Sequence, residues 1–289
     1  MEASIVVLTK NAGQTWERLL QRLFSQKFNG EYEVIVIDSG SSDATVEIAR
    51  RYPTRLVTIP PEEFHHGRTR NLGAGLARGE ILVYITQDAL PLRDDWLQKL
   101  VDNFADPGVA MVCGRQMPWQ HTKPPERFFY LYNFPDLKLR ITAHDPDYYH
   151  DNLFISDVNS ALRKDIWQQF RFSEKVIVAE DKELAARLLA AGWTIIYEPE
   201  AAVYHAHELS LKEAFDRYAT FGIALAQGSG GLPRSRNWLA HRIGHLIQEM
   251  RFILGHYRWW YWLPYSIAYE LSKLLGIACG WLVSHLRER

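Results

Sequence analysis

The 289-residue chain is poor in cysteine and has no marked excess of charge of either sign. Its two cysteines, Cys113 and Cys279, are too far apart to form a disulfide framework or a zinc motif. Both lie in apolar surroundings, so we expect buried, unpaired thiols in a reducing compartment. The formal net charge of −1 and the pI of about 6.8 carry no global signature of nucleic-acid binding. We therefore expect no nucleic-acid partner.

Several common motifs are also missing. The chain has neither the G-x-G-x-x-G fingerprint nor a Walker A lysine loop, which excludes the usual dinucleotide and P-loop interpretations. Residues 1–4 run directly into a strand pattern without the basic segment and apolar stretch of a signal peptide, so we expect a cytoplasmic protein. With 47% hydrophobic residues, the sequence predicts a sizeable core rather than disorder.

Short apolar runs alternate with helical patterns in the first third of the chain. The strand-like runs occupy residues 4–8, 32–37, 55–59 and 81–85. The run at 81–85 is apolar throughout and β-branched at three positions, which is typical of a strand buried on both faces. This alternation predicts an α/β fold with a parallel sheet and right-handed crossover connections.

Polar side chains follow these strands where each one ends. They are Thr9, Asn11, Asp38, Gln87 and Asp88. Because open α/β sheets bind ligands at the carboxyl ends of their strands, we expect these side chains to face one crevice. The alternative for Asp88 is a polar cap on the strand end. Asp38 comes too early to cap the next helix, a role that suits Ser42 or Asp43, so Asp38 is freer to bind a ligand.

An acidic pair, Glu180 and Asp181, begins a strong amphipathic helix pattern. Acidic residues in a first helical turn are favoured by the helix macrodipole, so one interpretation is capping alone. The functional interpretation is a general base, because a carboxylate at a helix N-terminus beside a pocket can take a proton from a hydroxyl.

Two histidines, His205 and His207, lie two positions apart on a strand-like segment and share a face there. One of them could bind a metal or a diphosphate. A structural role is the alternative, since no further spacing signal accompanies the pair.

These motifs together resemble those of the inverting family-two glycosyltransferases of the GT-A fold. Within that family they look most like bacterial rhamnosyltransferases, which use dTDP-L-rhamnose. The resemblance covers roughly residues 4–215 and rests on the order and spacing of short motifs. These are Thr9-x-Asn11, Asp38-Ser-Gly-Ser-Ser-Asp43, His66-Gly-Arg-Thr-Arg-Asn71, Gln87-Asp-Ala89, Glu180-Asp181 and His205.

The resemblance implies a role for each site residue. Thr9, Asn11 and Asp38 would bind the nucleoside, and Arg68 and Asn71 would lie near the sugar or diphosphate, with Gln87 and Asp88 completing the nucleotide-sugar site. Asp88 and His205 would hold Mg²⁺ or Mn²⁺. Asp181 would be the catalytic base, while Glu180 and Asn159, in the segment 157–160, would lie on the acceptor side. The implied fold is a mixed, mostly parallel sheet flanked by helices.

One departure from the family pattern concerns its D-x-D motif. Here Thr86-Gln87-Asp88 supplies one acid only, as in the rhamnosyltransferase-like members. One carboxylate binds a hard cation weakly unless a diphosphate supplies further oxygens, so metal dependence needs a test. The implied reaction is one in-line displacement with inversion. An inverting glycosidase also uses two carboxylates, but it would not account for the nucleotide-type strand ends.

The C-terminal part of the chain differs in composition from the rest. We expect a catalytic domain over residues 1–228 and an amphipathic helical extension over 229–289, joined at a glycine-rich hinge at 228–231. From residue 233 onward there are eight Lys and Arg against three acids, a net charge of +5. Helices at about 235–254 and 264–286, rich in tryptophan, suggest an interfacial membrane contact. The alternatives are packing on the catalytic domain or a dimer interface.

The expected function is therefore sugar transfer from dTDP-L-rhamnose to a glycan or polyprenyl-diphosphate-linked acceptor. It would take place on the cytoplasmic face of the inner membrane, in cell-surface polysaccharide (O-antigen) synthesis. Two other functions stay open at this point. One is a family-two transferase with a UDP-sugar donor, and the other is a non-catalytic nucleotide-sugar-binding protein.

Overall fold

The computed structural model describes residues 1–143, 155–226 and 238–287. These residues form nine strands: β1 Ala3–Thr9, β2 Tyr32–Asp38, β3 Arg55–Thr58, β4 Ile81–Thr86, β5 Leu90–Pro91, β6 Val109–Met117, β7 Leu139–Ile141, β8 Asn159–Arg163 and β9 Thr194–Tyr204. The same residues form ten α-helices: α1 Trp16–Phe24, α2 Thr45–Ala49, α3 His66–Leu76, α4 Trp96–Val101, α5 Pro124–Asn133, α6 Lys164–Gln169, α7 Glu180–Ala190, α8 Leu211–Ala226, α9 Trp238–His256 and α10 Trp259–Arg287.

The chain divides into two compact units. The sheet unit comprises Met1–Met117, Phe134–Glu174 and Glu180–His205. The helical unit comprises Pro118–Asn133, Lys175–Ala179 and Ala206–Arg289. The predicted hinge at 228–231 and the boundary between residues 228 and 229 lie outside the described residues, so the division into a catalytic domain and an extension stays a prediction.

The sheet unit contains a single sheet in the order β3-β2-β1-β4-β8-β6-β9-β5, with β7 beside β9. Strands β3, β2, β1 and β4 pair in parallel, as do β6 and β9. Strand β8 runs antiparallel between β4 and β6, and β5 and β7 are antiparallel to β9. The expected mixed, mostly parallel sheet is therefore confirmed.

Helices cover both faces of β1. Ile5 and Val7 belong to a buried cluster that includes Trp16 of α1, whereas Val6 faces α3 on the other side. A Cβ atom at Gly73 of α3 would lie 2.4 Å from Val6 Cγ1, so this helix lies very close to the sheet. Burial on both faces is the physical reason for the unbroken apolar runs in the central strands.

Helix α3 includes all the polar residues of the motif 66–71, because it starts at His66. The His65 side chain caps it by accepting from the Arg68 main-chain N–H. The polar residues of this segment thus lie on a regular helix, which fixes the direction of each side chain.

The prediction that both cysteines are buried was wrong for Cys279. Cys113 is buried on β6, but Cys279 is exposed on α10. Both are free thiols. An apolar sequence neighbourhood does not bury Cys279, because α10 turns much of its apolar surface outward.

The helical unit contains the two tail helices that the sequence predicted, as α9 and α10. Helix α10 packs against α8 at backbone contact distance: a Cβ atom at Gly280 would lie 1.9 Å from the Ala219 carbonyl oxygen, and one at Gly276 would lie 2.4 Å from that of Phe215. Among the described helices, the stretch Trp260–Leu286 is long and apolar enough to cross a membrane by length and composition, with 28% of its most apolar window buried.

Candidate active site at the strand ends

The carboxyl ends of β1, β2 and β4 lie side by side because these strands are parallel neighbours. Thr9 is in register with Asp38, and Leu8 with Thr86. The sheet therefore brings the predicted residues of three separate motifs to one edge, where open α/β sheets bind ligands.

Asp38 organises the loop that follows β2. Its Oδ2 accepts the main-chain N–H groups of Gly40 and Ser41, at 3.1 and 2.9 Å. Its Oδ1 accepts the hydroxyls of Ser41 and Thr9, at 2.5 and 3.3 Å. Asp38 is 1% exposed. It shapes the loop of the predicted nucleoside site, and direct binding of the nucleoside by Asp38 stays a prediction.

Asn11 has a left-handed backbone conformation and binds the loop that follows β2. Its φ is 48°, which is uncommon outside glycine but tolerated by asparagine. Its Oδ1 accepts from Ser42 N–H at 2.8 Å, and its own N–H donates to Ser41 Oγ at 2.8 Å. The loops after β1 and β2 are thus tied together beside Thr9.

Gln87 connects the loop after β4 to the loop after β1. Its Oε1 accepts the Lys10 N–H at 2.8 Å, and its Nε2 donates to the Lys10 carbonyl at 3.1 Å. A carboxylate cannot make the second bond because it has no donor. The structure thus gives a physical reason for an amide at this position.

Asp88 and His205 lie close together although the chain separates them widely. Asp88 Oδ2 is 3.5 Å from His205 Nε2. The other ring nitrogen of His205, Nδ1, lies 2.9 Å from Gln116 Oε1, which can only accept. With Oε1 as the acceptor, Nδ1 is the donor of this contact, which leaves Nε2 as the ring nitrogen on the side of Asp88 that could bind a cation. A histidine oriented in this way by a second hydrogen bond is the usual arrangement of a metal ligand.

Thr86 adds an oxygen at the same edge. Its Oγ1 is buried and has no hydrogen-bond partner within the described parts of the chain. A carboxylate, an imidazole and a hydroxyl oxygen match the oxygen and nitrogen ligands that Mg²⁺ and Mn²⁺ accept. The residues present therefore fit a divalent cation, with Asp88 and His205 as the groups that would hold it.

Arg68 and Asn71 both point toward the segment before α7. Arg68 is exposed and its Nε donates to Glu174 Oε2 at 3.1 Å. Asn71 Oδ1 accepts from Trp167 Nε1 and Phe172 N–H at 3.0 and 3.1 Å, and its Nδ2 donates to the Phe172 carbonyl at 2.9 Å. Arg68 is accessible to a ligand, whereas Asn71 uses its side chain to hold α3 against residues 167 and 172.

Asn159 lies beneath the site rather than facing it. It is fully buried, its Oδ1 accepts from Trp96 Nε1 at 2.9 Å, and its Nδ2 donates to the Ala201 and Arg115 carbonyls at 2.7 and 3.2 Å. These partners join β8 to its surroundings. An acceptor-side role for Asn159 stays a prediction that its burial does not favour.

Asp181 is at the start of α7, and two hydrogen bonds connect it, through residues 157 and 158, to the end of β4. Its Oδ2 accepts the Asp157 N–H at 3.1 Å, and the adjacent Val158 carbonyl accepts the Thr86 N–H at 3.2 Å. Its Oδ1 accepts the Lys182 N–H at 2.8 Å. Burial and the neighbouring Glu180 raise the pKa of Asp181 above the usual carboxyl range, while Lys182 and Arg70 lower it.

Glu180 has a different environment from Asp181. It is 5% exposed and accepts from Arg70 Nη1. The two acids therefore differ in environment: Glu180 is ion-paired inside the protein, and Asp181 is the more accessible of the two. The sequence places Arg70 within the His66–Asn71 motif but does not indicate its ion pairs, and no motif points to Gln116 as the partner of His205. Two carboxylates near a buried arginine are a signal that only the tertiary structure supplies.

Comparison with known proteins places this geometry in a family. Residues 4–170 match the domain described as Glycosyl transferase family 2. The chain is 29% identical over 292 residues to the O-antigen chain rhamnosyltransferase RfbN of Salmonella typhimurium, covering 97% of this chain and 90% of that protein. It is 30% identical over 288 residues to the O-antigen chain rhamnosyltransferase WbaN of Salmonella anatum, covering 96% and 88%.

A solved structure supports the fold. The mannosyltransferase PcManGT from Pyrobaculum calidifontis, in complex with GDP-Man and Mn²⁺, superposes with a TM-score of 0.64 at 18% sequence identity, covering all of this chain and 88% of that one. The expected GT-A architecture is confirmed. The chain belongs to the family 2 glycosyltransferases and is a glycosyltransferase enzyme.

Proposed function

We propose that this glycosyltransferase transfers L-rhamnose, with inversion, from dTDP-L-rhamnose to a hydroxyl group of a glycan or polyprenyl-diphosphate-linked acceptor in O-antigen synthesis. We infer the rhamnosyl donor and the role in O-antigen synthesis from near-full-length similarity to two O-antigen chain rhamnosyltransferases. Similarity over 96% of the chain extends beyond the shared domain at residues 4–170. It thus includes the segments outside the family domain, among them the acidic pair at 180–181.

Asp181 is the catalytic base in this proposal. Two main-chain N–H groups fix its carboxylate, and its raised pKa makes it a better proton acceptor than an ordinary aspartate. It takes the proton of the acceptor hydroxyl as that oxygen attacks the anomeric carbon. No enzyme nucleophile is needed, because a single displacement inverts the configuration.

Asp88 and His205 are the residues that would hold Mg²⁺ or Mn²⁺. A bound cation supplies neutralisation of the charge that develops on the departing nucleoside diphosphate. Gln116 keeps the His205 ring in the required tautomer, and Gln87 keeps the loop that carries Asp88 joined to the loop after β1. The chain's own residues thus orient the donor at the strand ends.

We further propose that the helical unit binds the surface of an anionic membrane, where a polyprenyl-linked acceptor resides. Helix α10 exposes its apolar side chains and buries polar ones, the reverse of the usual surface helix. One face carries large apolar side chains that are 40–70% exposed: Trp260, Ile267, Leu271, Leu275, Leu282 and Leu286. The opposite face is buried in the unit and contains Ser266, Lys273 and Ser284. The exposed Arg251 and Arg258 and the net charge of +5 from residue 233 onward suit anionic headgroups.

The donor is tested by thermal shift with Mg²⁺ present. We expect dTDP-L-rhamnose to raise the melting temperature more than UDP-glucose, UDP-galactose or UDP-GlcNAc at equal concentration, because only a ligand that binds the native state stabilises it. A shift with a UDP-sugar and none with dTDP-L-rhamnose would replace the rhamnosyl donor by a UDP-hexose. Binding of dTDP-L-rhamnose with no transfer to any lipid-linked or glycan acceptor would instead favour a non-catalytic binding protein.

A further inference from the structure

A buried guanidinium lies among the acidic residues around Asp181. Arg70 projects from α3 and is 7% exposed. Its Nε lies 3.1 Å from Asp157 Oδ2, and its Nη1 donates to Glu180 Oε1. Asp157 and Glu180 are themselves only 1% and 5% exposed. Ions this deeply buried are strongly destabilising when unpaired, so one arginine compensates two carboxylates that come from distant parts of the chain.

The same two carboxylates belong to the residues that hold Asp181. Asp157 donates its N–H to Asp181 Oδ2 at 3.1 Å, and Glu180 is the preceding residue at the start of α7. The Ser160 hydroxyl fixes Asp157 further by donating to its Oδ1 at 2.6 Å. Arg70 therefore contacts two residues that adjoin Asp181: Asp157 through its N–H hydrogen bond, and Glu180 as the preceding residue.

The backbone at the start of α7 needs such an anchor. Ala179, directly before Glu180, has a φ of 65°, in the left-handed region that residues other than glycine seldom adopt. Strained residues of this kind persist where the surrounding contacts determine the conformation. The ion pair between Arg70 and Glu180 is one such contact, one residue away from the strained position.

We propose that Arg70 is a positioning residue for the transfer reaction: by binding Asp157 and Glu180 at once, it fixes the carboxylate of Asp181 and offsets the negative charge around it. This role presupposes the proposed function, since it takes Asp181 to be the base. It extends that function by assigning to the reaction an arginine that acts through other residues rather than on the donor or the acceptor.

The ionisable groups around Asp181 come from two helices, one strand and one loop. Glu180 and Lys182 lie on α7, Arg70 and His66 on α3, Asp157 before β8, and Cys113 on β6. Burial raises the pKa of the Cys113 thiol far above neutrality, so Cys113 contributes no charge. Burial and the nearby Asp181 raise the pKa of Asp157, while Arg70 lowers it.

The sign of the expected pH effect follows from these charges. A base must be deprotonated to work, so the rate falls as the pH drops through the pKa of Asp181. Loss of the Arg70 charge leaves three carboxylates together, which raises that pKa and moves the acidic limb of the rate profile to higher pH. Loss of the Asp157 charge has the opposite effect and moves the limb to lower pH.

The test is the dependence of kcat on pH for the full-length enzyme and its variants, with saturating donor and Mg²⁺. In Arg70→Met we expect the acidic limb to move up by about 1 pH unit or more, and in Asp157→Asn to move down by about the same amount. Arg70→Lys keeps the positive charge but lacks the planar guanidinium that contacts both carboxylates. We therefore expect an acidic limb near that of the wild type and a lower kcat at every pH.

Arg187→Met is the matched control, because it removes a guanidinium from α7 that pairs with Glu183 instead. We expect its limb to coincide with that of the wild type. Opposite shifts in Arg70→Met and Asp157→Asn support the role of Arg70, since a general loss of structure would not move the limb in two directions. If Arg70→Met does not fold, Arg70→Lys decides: a limb near that of the wild type with a lower kcat supports the role of Arg70, and a wild-type kcat at every pH overturns it.

Asp181→Asn distinguishes a failure of the proposed base, Asp181, from a failure of the proposed positioning role of Arg70. Full turnover in Asp181→Asn would remove Asp181 as the base and with it the proposed mechanism. An inactive Asp181→Asn, combined with unshifted limbs in Arg70→Met and Asp157→Asn, would leave the base in place and overturn the role of Arg70.

Discussion

At the residue scale, neighbouring carboxylates do different work because their surroundings differ. Glu180 is buried and ion-paired to Arg70, while Asp181 accepts two main-chain N–H groups and keeps a raised pKa. Asp38 accepts four hydrogen bonds from its own loop and from Thr9. Asp88 is 45% exposed beside His205. These surroundings suit the four acids to the roles that we propose for them: Asp181 as the base, Glu180 as the anchor, Asp38 as the residue that shapes its loop, and Asp88 as the cation ligand.

The base is tested by Asp181→Asn, which keeps the size of the side chain and removes its ability to accept a proton. We expect kcat to fall by about 10³-fold, within the range that general-base catalysis contributes, and the affinity for the donor to change little. Single-turnover assays and isothermal titration with dTDP-L-rhamnose measure the two effects. Asp165→Asn is the control, because Asp165 also lies in a first helical turn and accepts the Ile166 N–H at 2.9 Å. Equal losses in both variants would reduce Asp181 to a helix cap.

The cation site is tested by Asp88→Asn and by Gln116→Leu. Removing a ligand, or the group that orients one, lowers metal affinity by about 10–100-fold for the orienting group and by more for the ligand. Electron paramagnetic resonance of Mn²⁺ in the presence of dTDP measures this affinity directly. Asp94→Asn should leave this affinity unchanged, because Asp94 is a partly exposed aspartate that pairs with Lys27 instead. Full activity in excess EDTA would show that the enzyme works without a divalent cation.

At the element scale, glycines decide how the helices of the helical unit meet. Gly276 and Gly280 of α10 lie against the backbone of α8, at distances that no side chain can occupy. This close approach is what turns the polar positions of α10 inward, where the Lys273 ammonium pairs with Glu270 and lies 4.9 Å from the centre of the Tyr269 ring. The apolar positions are left facing outward.

The helix contact is tested by Gly280→Ala. The added methyl group would meet the Ala219 carbonyl oxygen at 1.9 Å, so the helices must separate, and we expect a loss of about 1–3 kcal/mol of unfolding free energy. Gly244→Ala is the matched control, because nothing lies within 4 Å of its added methyl group among the residues that the structure describes. There the same substitution should stabilise α9 by roughly 0.5–1 kcal/mol. Urea unfolding curves of both variants measure the difference, and a neutral Gly280→Ala would contradict this packing.

At the scale of the whole molecule, the chain contains a sheet unit with its candidate site residues at the strand ends and a helical unit that exposes apolar surface. Contiguous exposed apolar patches on soluble proteins mark interaction sites. The basic charge of the same region suits the anionic lipid surface that we propose as its partner and disfavours a basic protein face.

Membrane binding is tested by flotation with vesicles that contain anionic phospholipid. Leu275→Glu places a charge on the exposed face of α10, and we expect at least about a tenfold loss of vesicle binding because burial of a leucine contributes about 1.5–3 kcal/mol. Leu137→Glu is the matched control, since Leu137 is 59% exposed and Leu275 is 58% exposed. Equal flotation of the two variants would reject α10 as the binding face.

The sequence by itself determined the alternation of strands and helices, the polar strand ends and the acidic pair at 180–181. These features are local, because side-chain periodicity and strand-end chemistry follow from the order of residues. The sequence also carried the family motifs, including Arg70, but not the partners of that arginine.

Only the tertiary structure decided which polar groups face each other. The ion pairs of Arg70 join residues that are 87 and 110 positions away in the chain, and Gln116 meets His205 across 89 positions. The antiparallel β8 between two sets of parallel strands is likewise a matter of pairing partners. The outward apolar face of α10 depends on its close contact with α8. Contacts of this range depend on packing, in which each burial constrains the others, so no local pattern in the sequence specifies them.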